Sequence, residues 1–148
     1  MSVLLGLTGL MPSLGRSQSA SSGFSTNALA GAFEARTLAE LSRALGVPAP
    51  IEAKEVTLQA PDMAENGAAV PVTLSVAVNG VKSLLLLVEK NPHLLAAAFE
   101  LSDALEPAFT TRIKLQQSSN VFGVALLNDG RTLFARREVK VTLGGCAA

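Results

Sequence analysis

The spacing of hydrophobic positions changes at residue 50. Before it, Leu38, Leu41 and Leu45 recur at helical intervals, with Glu34, Arg36, Glu40 and Arg43 on the remaining faces. This predicts one helix over residues 32–45. Gly46 follows it as a C-terminal cap, and Pro48 and Pro50 forbid its continuation. After Pro50 the period is two. Val70, Val72, Leu74, Val76 and Val78 alternate with Pro71, Thr73, Ser75 and Ala77, a strand with one buried face. Asn79-Gly80 turns it into a second strand over 81–88, where four consecutive leucines, Leu84 to Leu87, predict burial on both faces. Further strands are expected at 52–59, 110–115, 120–127 and 132–143. Pro61-Asp62, Asn66-Gly67 and Asn128-Asp129-Gly130 mark turns. In the last strand, Phe134 and Val139 share a face only if a bulge intervenes near Arg136 and Arg137.

Short strands at regular spacing predict a mainly β fold, an immunoglobulin-like antiparallel β-sandwich with one N-terminal helix across an end or edge. The 148 residues make one domain, and 49% hydrophobic content is enough to bury a core. The twelve basic residues balance the twelve acidic ones, which removes the basic patch that nucleic acid would need. The absence of Trp and Tyr argues against an aromatic stacking platform too. A doubly apolar strand beside a charged fraction of only 16% exceeds what one small domain must bury, so a covering partner is expected.

At the N-terminus, residues 3–14 are apolar but too few to span a bilayer. A Ser/Gly/Thr-rich stretch over 17–26 follows, then Ala28-Leu29-Ala30, an A-x-A cleavage-like site. Residues 1–30 therefore read as an export signal, truncated or atypical because no Lys or Arg precedes Val3. Residues 31–143 read as the helix and sandwich, and 144–148 as an arm.

That arm carries the single cysteine, Cys146, third from the C-terminus in Gly144-Gly-Cys-Ala-Ala148. The two glycines form a hinge with little steric preference, and from Leu143 to the thiol the reach is about 10 Å. Cys146 thus reads as a nucleophile presented on a flexible arm made by Gly144, Gly145, Ala147 and Ala148. An intermolecular disulfide and an incidental tail thiol are the alternatives. Arg136, Arg137 and Lys140, near the arm in sequence, are candidates for attracting anions toward it. The only histidine, His93, reads as a surface or capping group. Asp62 and Glu65 read as turn residues. One His and one Cys make no structural zinc site, and no cofactor or metal motif is legible.

Several of these segments resemble one family. Lys140-Val-Thr-Leu-Gly-Gly-Cys146 is similar to the C-terminal arm of SoxY, the sulfur-carrier subunit of periplasmic thiosulfate oxidation. The resemblance extends through Ala64-Glu-Asn-Gly-Ala-Ala-Val-Pro-Val-Thr73, Leu87-Val-Glu-Lys-Asn-Pro92, Leu95-Ala96 and Thr111-Arg-Ile-Lys114. It implies a sandwich paired with a cysteine-free SoxZ-like subunit, exported to the periplasm. Cys146 would be the covalent attachment point for sulfur intermediates. The partners implied are a haem enzyme that conjugates thiosulfate, a hydrolase that releases sulfate and a dehydrogenase acting on the sulfane sulfur. The chain would be their substrate and not itself an enzyme. The family's usual ending is Gly-Gly-Cys-Gly-Gly, so Ala147 and Ala148 are a departure that narrows the arm's freedom. Two other classes stay open on the residues alone. One is an exported immunoglobulin-like interaction subunit whose tail cysteine makes an intermolecular disulfide. The other is a thiol enzyme such as a peroxidase or sulfurtransferase.

Overall fold

The computed structural model describes residues 25–143, with Gly6 and Gly9. Two helices, α1 (Thr26–Glu34) and α2 (Leu38–Leu45), precede nine strands. These are β1 (Ile51–Glu52), β2 (Val56–Gln59), β3 (Met63–Asn66), β4 (Val70–Val76), β5 (Val81–Val88), β6 (Leu95–Glu100), β7 (Ala108–Ile113), β8 (Ser119–Leu127) and β9 (Thr132–Leu143). They form a six-stranded sheet ordered β1-β9-β8-β5-β6, with β3 also paired to β9, and a three-stranded sheet ordered β2-β4-β7. The architecture is the expected mainly β sandwich, with two pairings that are parallel, β1 with β9 and β3 with β9.

The single helix expected over 32–45 is two helices. Thr37 is extended and caps α2, its Oγ1 accepting from the Glu40 N–H at 3.1 Å. Ser25 caps α1 in the same way through the Ala28 N–H. Ala28-Leu29-Ala30, the cleavage-like triplet, therefore lies inside α1. The pair packs on the outer face of the six-stranded sheet, not across an end or edge. Ala32, Ala35 and Leu41 lie against Leu85, Leu87, Phe122, Val124 and Leu126. Gly46, at φ 67°, closes α2 in the left-handed region that glycine tolerates.

This third layer explains the doubly apolar strand. In β5, Leu84, Leu86 and Val88 face the core between the sheets, while Leu85 and Leu87 face the helices. β8 divides likewise, with Val121 and Ala125 toward one core and Phe122, Val124 and Leu126 toward the other. The chain covers both faces itself, so these leucines give no ground for expecting an external partner. Gly123 sits on the inner face of β8, where a Cβ would collide with Leu74 Cδ1.

Two strand expectations also change. The run 52–59 is broken at 53–55, where the chain leaves one sheet and enters the other; β1 pairs with β9 and β2 with β4. β9 needs no bulge. It pairs with β8 in unbroken register from Thr132 to Val139, and its two faces serve two cores. Leu133 and Val139 point into the sandwich, and Phe134 toward the helices, 6.0 Å from the Phe122 ring centroid.

Candidate functional site

The candidate nucleophile, Cys146, follows β9 in sequence, so the site is built from what fixes the end of that strand. The β8–β9 ladder stops at Ser119 opposite Val139. Beyond it the Ser118 hydroxyl continues the pairing, accepting from the Val141 N–H at 2.8 Å and donating to the Val141 carbonyl at 3.4 Å. On the other side β3 runs parallel, aligning Met63 with Lys140, Ala64 with Val141 and Asn66 with Leu143. Lys140 N–H donates to the Asp62 carbonyl at 2.9 Å, and Thr142 Oγ1 donates to the Glu65 carbonyl at 3.2 Å. Val139 is fully buried below. Position 143 is therefore the end of a strand clamped from both sides. Gly144, Gly145, Cys146, Ala147 and Ala148 lie outside the described residues.

β3 is what sequence reading missed here. Met63-Ala-Glu-Asn66 is short, and only Ala64 is buried, so it lacks the alternation that announces a strand. Asn66 closes it, its Oδ1 accepting from the Ala68 N–H at 2.9 Å, in the turn that Asn66-Gly67 predicted. Glu65 and Asp62 thus serve the strand and its turn. His93 is exposed, with Nδ1 3.2 Å from the Phe33 carbonyl oxygen.

The three cations expected near the arm all lie on β9. The face that carries Phe134 emerges from beneath the helices, and its next positions, Arg136, Glu138 and Lys140, are exposed. With Arg137, Asp62 and Met63 they line a shallow cavity of about 520 Å³ between β1 and β3. Their charges are not equivalent. Arg137 Nη2 donates to Asp62 Oδ1 at 2.7 Å, in a pair exposed enough to be worth little to stability. Glu138 opposes the charge of its neighbours. Arg136 and Lys140 enter no ion pair among the described residues. Among these residues no group of three His, Cys, Asp or Glu side chains could hold a metal, and no helix is long and apolar enough to cross a membrane.

A family model described as "Sulfur oxidation protein SoxY" matches residues 41–146. Among solved structures, the chain is similar to the sulfur carrier protein SoxY from Chlorobium limicola f thiosulfatophilum. The TM-score is 0.62 at 28% identity, over 70% of this chain and 93% of that one. It is also similar to a variant of the superoxide reductase (neelaredoxin) from Ignicoccus hospitalis. There the TM-score is 0.53 at 21% identity, over 58% of this chain and 78% of that one, a likeness of fold alone. No curated protein matches the chain.

Proposed function

Because the chain belongs to the SoxY family of sulfur oxidation proteins, we propose that it is a covalent carrier of sulfur intermediates in thiosulfate oxidation and holds them on the Cys146 thiol. The observation that carries this reading is the span of the family match, which runs through residue 146 and so includes the cysteine.

The chemistry follows from the thiol. A thiolate is the soft nucleophile that can bond to the sulfane sulfur of thiosulfate, and an ordinary thiol is only a few per cent ionised at neutral pH. Joining the two into Cys–S–S–SO₃⁻ removes two electrons, which a haem partner accepts. Hydrolysis then releases sulfate and leaves sulfane sulfur on the cysteine, and a dehydrogenase oxidises it. The chain presents the adduct and catalyses none of these steps. The clamped end of β9 supports the reading, since a short arm delivers best from a fixed pivot. Lys140, exposed three residues before the end of β9, favours an anionic adduct. The protein acts in the periplasm with a SoxZ-like cysteine-free subunit.

The test is reconstitution with the cognate Sox enzymes. Cys146→Ser should lose thiosulfate-dependent sulfate production while still binding the SoxZ-like subunit. Sulfate production at the wild-type rate by that variant would refute the assignment. A wild-type protein recovered only as a Cys146-linked disulfide dimer, inert to thiosulfate, would favour the interaction-subunit alternative.

A further inference from the structure

The sandwich is open along one side. β6 ends the six-stranded sheet and β7 ends the three-stranded one, and no strand is bonded to the outer side of either among the described residues. At one end the gap is closed by Phe99 and Phe109, whose ring centroids are 3.9 Å apart. The rest is a groove of about 380 Å³, with Ala96 and Ala97 on one wall and Thr111 and Arg112 on the other. Its end is strapped by Asn91, whose Nδ2 donates to the Lys114 carbonyl at 2.6 Å and whose Oδ1 accepts from the Gln116 N–H at 3.1 Å.

Three properties of this groove coincide. First, β6 is a free edge, regular from Ala97 to Glu100 and shifted in register only opposite Leu86 and Leu87. Its sequence Leu95-Ala-Ala-Ala-Phe-Glu100 has no Lys, Arg or Pro, the residues that usually stop a free edge from pairing. The Leu101 N–H donates to the Lys82 carbonyl at 2.9 Å. Antiparallel alternation then turns the Ala98 N–H away from β5, toward the open side. Second, the lining is basic. His93, Arg112 and Lys114 contribute to it and no acidic side chain does, in a chain of zero net charge. Neither Arg112 nor Lys114 is in an ion pair among the described residues. Third, two exposed phenylalanines belong to its surroundings. Phe99 is at the closed end, and Phe33, 50% exposed, meets the groove's His93 through its carbonyl oxygen.

We propose that this open side takes an acidic, extended segment of a partner protein, added as a strand beside β6. Main-chain pairing to the edge would supply affinity, and the cations of β7 and its following loop would select carboxylates at alternate positions. This surface is independent of the carrier reading, since none of its residues belongs to β9 or the arm.

The probe is a library of short random peptides displayed on phage and selected against the full-length chain. Enriched peptides should carry several Asp or Glu residues alternating with β-branched or aromatic ones. Binding should fall about tenfold or more in Arg112→Glu/Lys114→Glu, exposed changes that leave the core intact. It should return when the peptide's carboxylates are replaced by lysines. Ala98→Pro should weaken the same peptides, and Cys146→Ser should leave them unaffected. Failure to enrich any peptide, or enriched peptides indifferent to the charge reversal, overturns the proposal. So does a concentration-dependent dimer abolished by Ala98→Pro, which would make a second copy of this chain the occupant.

Discussion

At the residue scale, Cys146 stands out in the sequence because of what surrounds it. Nothing near Cys146 in sequence offers a core, a partner thiol or a metal set, and the glycines before it remove backbone preference. Replacing Gly144 or Gly145 by proline fixes φ near −65° and removes that freedom. Loading by the haem enzyme should slow while the thiol remains reactive toward a small alkylating reagent, and equal rates of loading would mean that the hinge is unimportant. The roles of Arg137 and Ser118 were not legible, since an ion pair to Asp62 and a hydroxyl bracing Val141 depend on folding distant segments together. Thr132 is 3% exposed, and its hydroxyl has no hydrogen-bond partner among the described residues. Thr132→Val keeps the shape and removes an unsatisfied group, and should stabilise the fold by roughly 1 kcal/mol. A lower denaturation midpoint would contradict that.

At the element scale, β5 and β9 were readable because they are long and begin after turns of known chemistry, Asn79-Gly80 and Asn128-Asp129-Gly130. Three elements hid for physical reasons. α1 and α2 were fused because helical residues continue through Ala35 and Arg36. Yet Thr37-Leu-Ala-Glu40 is the pattern of a helix N-terminus, and Glu40 Oε2 does accept from the Arg36 N–H at 2.8 Å. β6 is rich in alanine, which favours no strand, and β3 is too short to show a period. The faces of β9 looked inconsistent only under the assumption of one core. The helical layer provides the second, and Leu41, 2% exposed, is its anchor. Leu41→Ala should cost about 2–4 kcal/mol, measured by chemical denaturation, because it opens a cavity above Leu85 and Leu87. A loss below 1 kcal/mol would mean that the helices contribute little to the fold.

At the scale of the whole molecule, the sandwich was foreseeable and its covering was not. The apolar surplus expected to demand a partner is met within the chain by α1 and α2. A heterodimer, which membership of the SoxY family supports, therefore needs another surface. The chain alone should accordingly remain folded, with cooperative denaturation, rather than collapse without a second subunit. A non-cooperative transition would reverse that view. The end of β9 is clamped from both sides, and the proposed function rests on the thiol that follows it in sequence. The most direct measurement is intact mass, followed by mapping of the C-terminal peptide, after wild-type protein is incubated with thiosulfate and the cognate haem enzyme. The expected result is the added mass of one thiosulfate on the peptide containing Cys146, and none in Cys146→Ser. An unmodified wild-type tail, or an adduct that persists in Cys146→Ser, would contradict it.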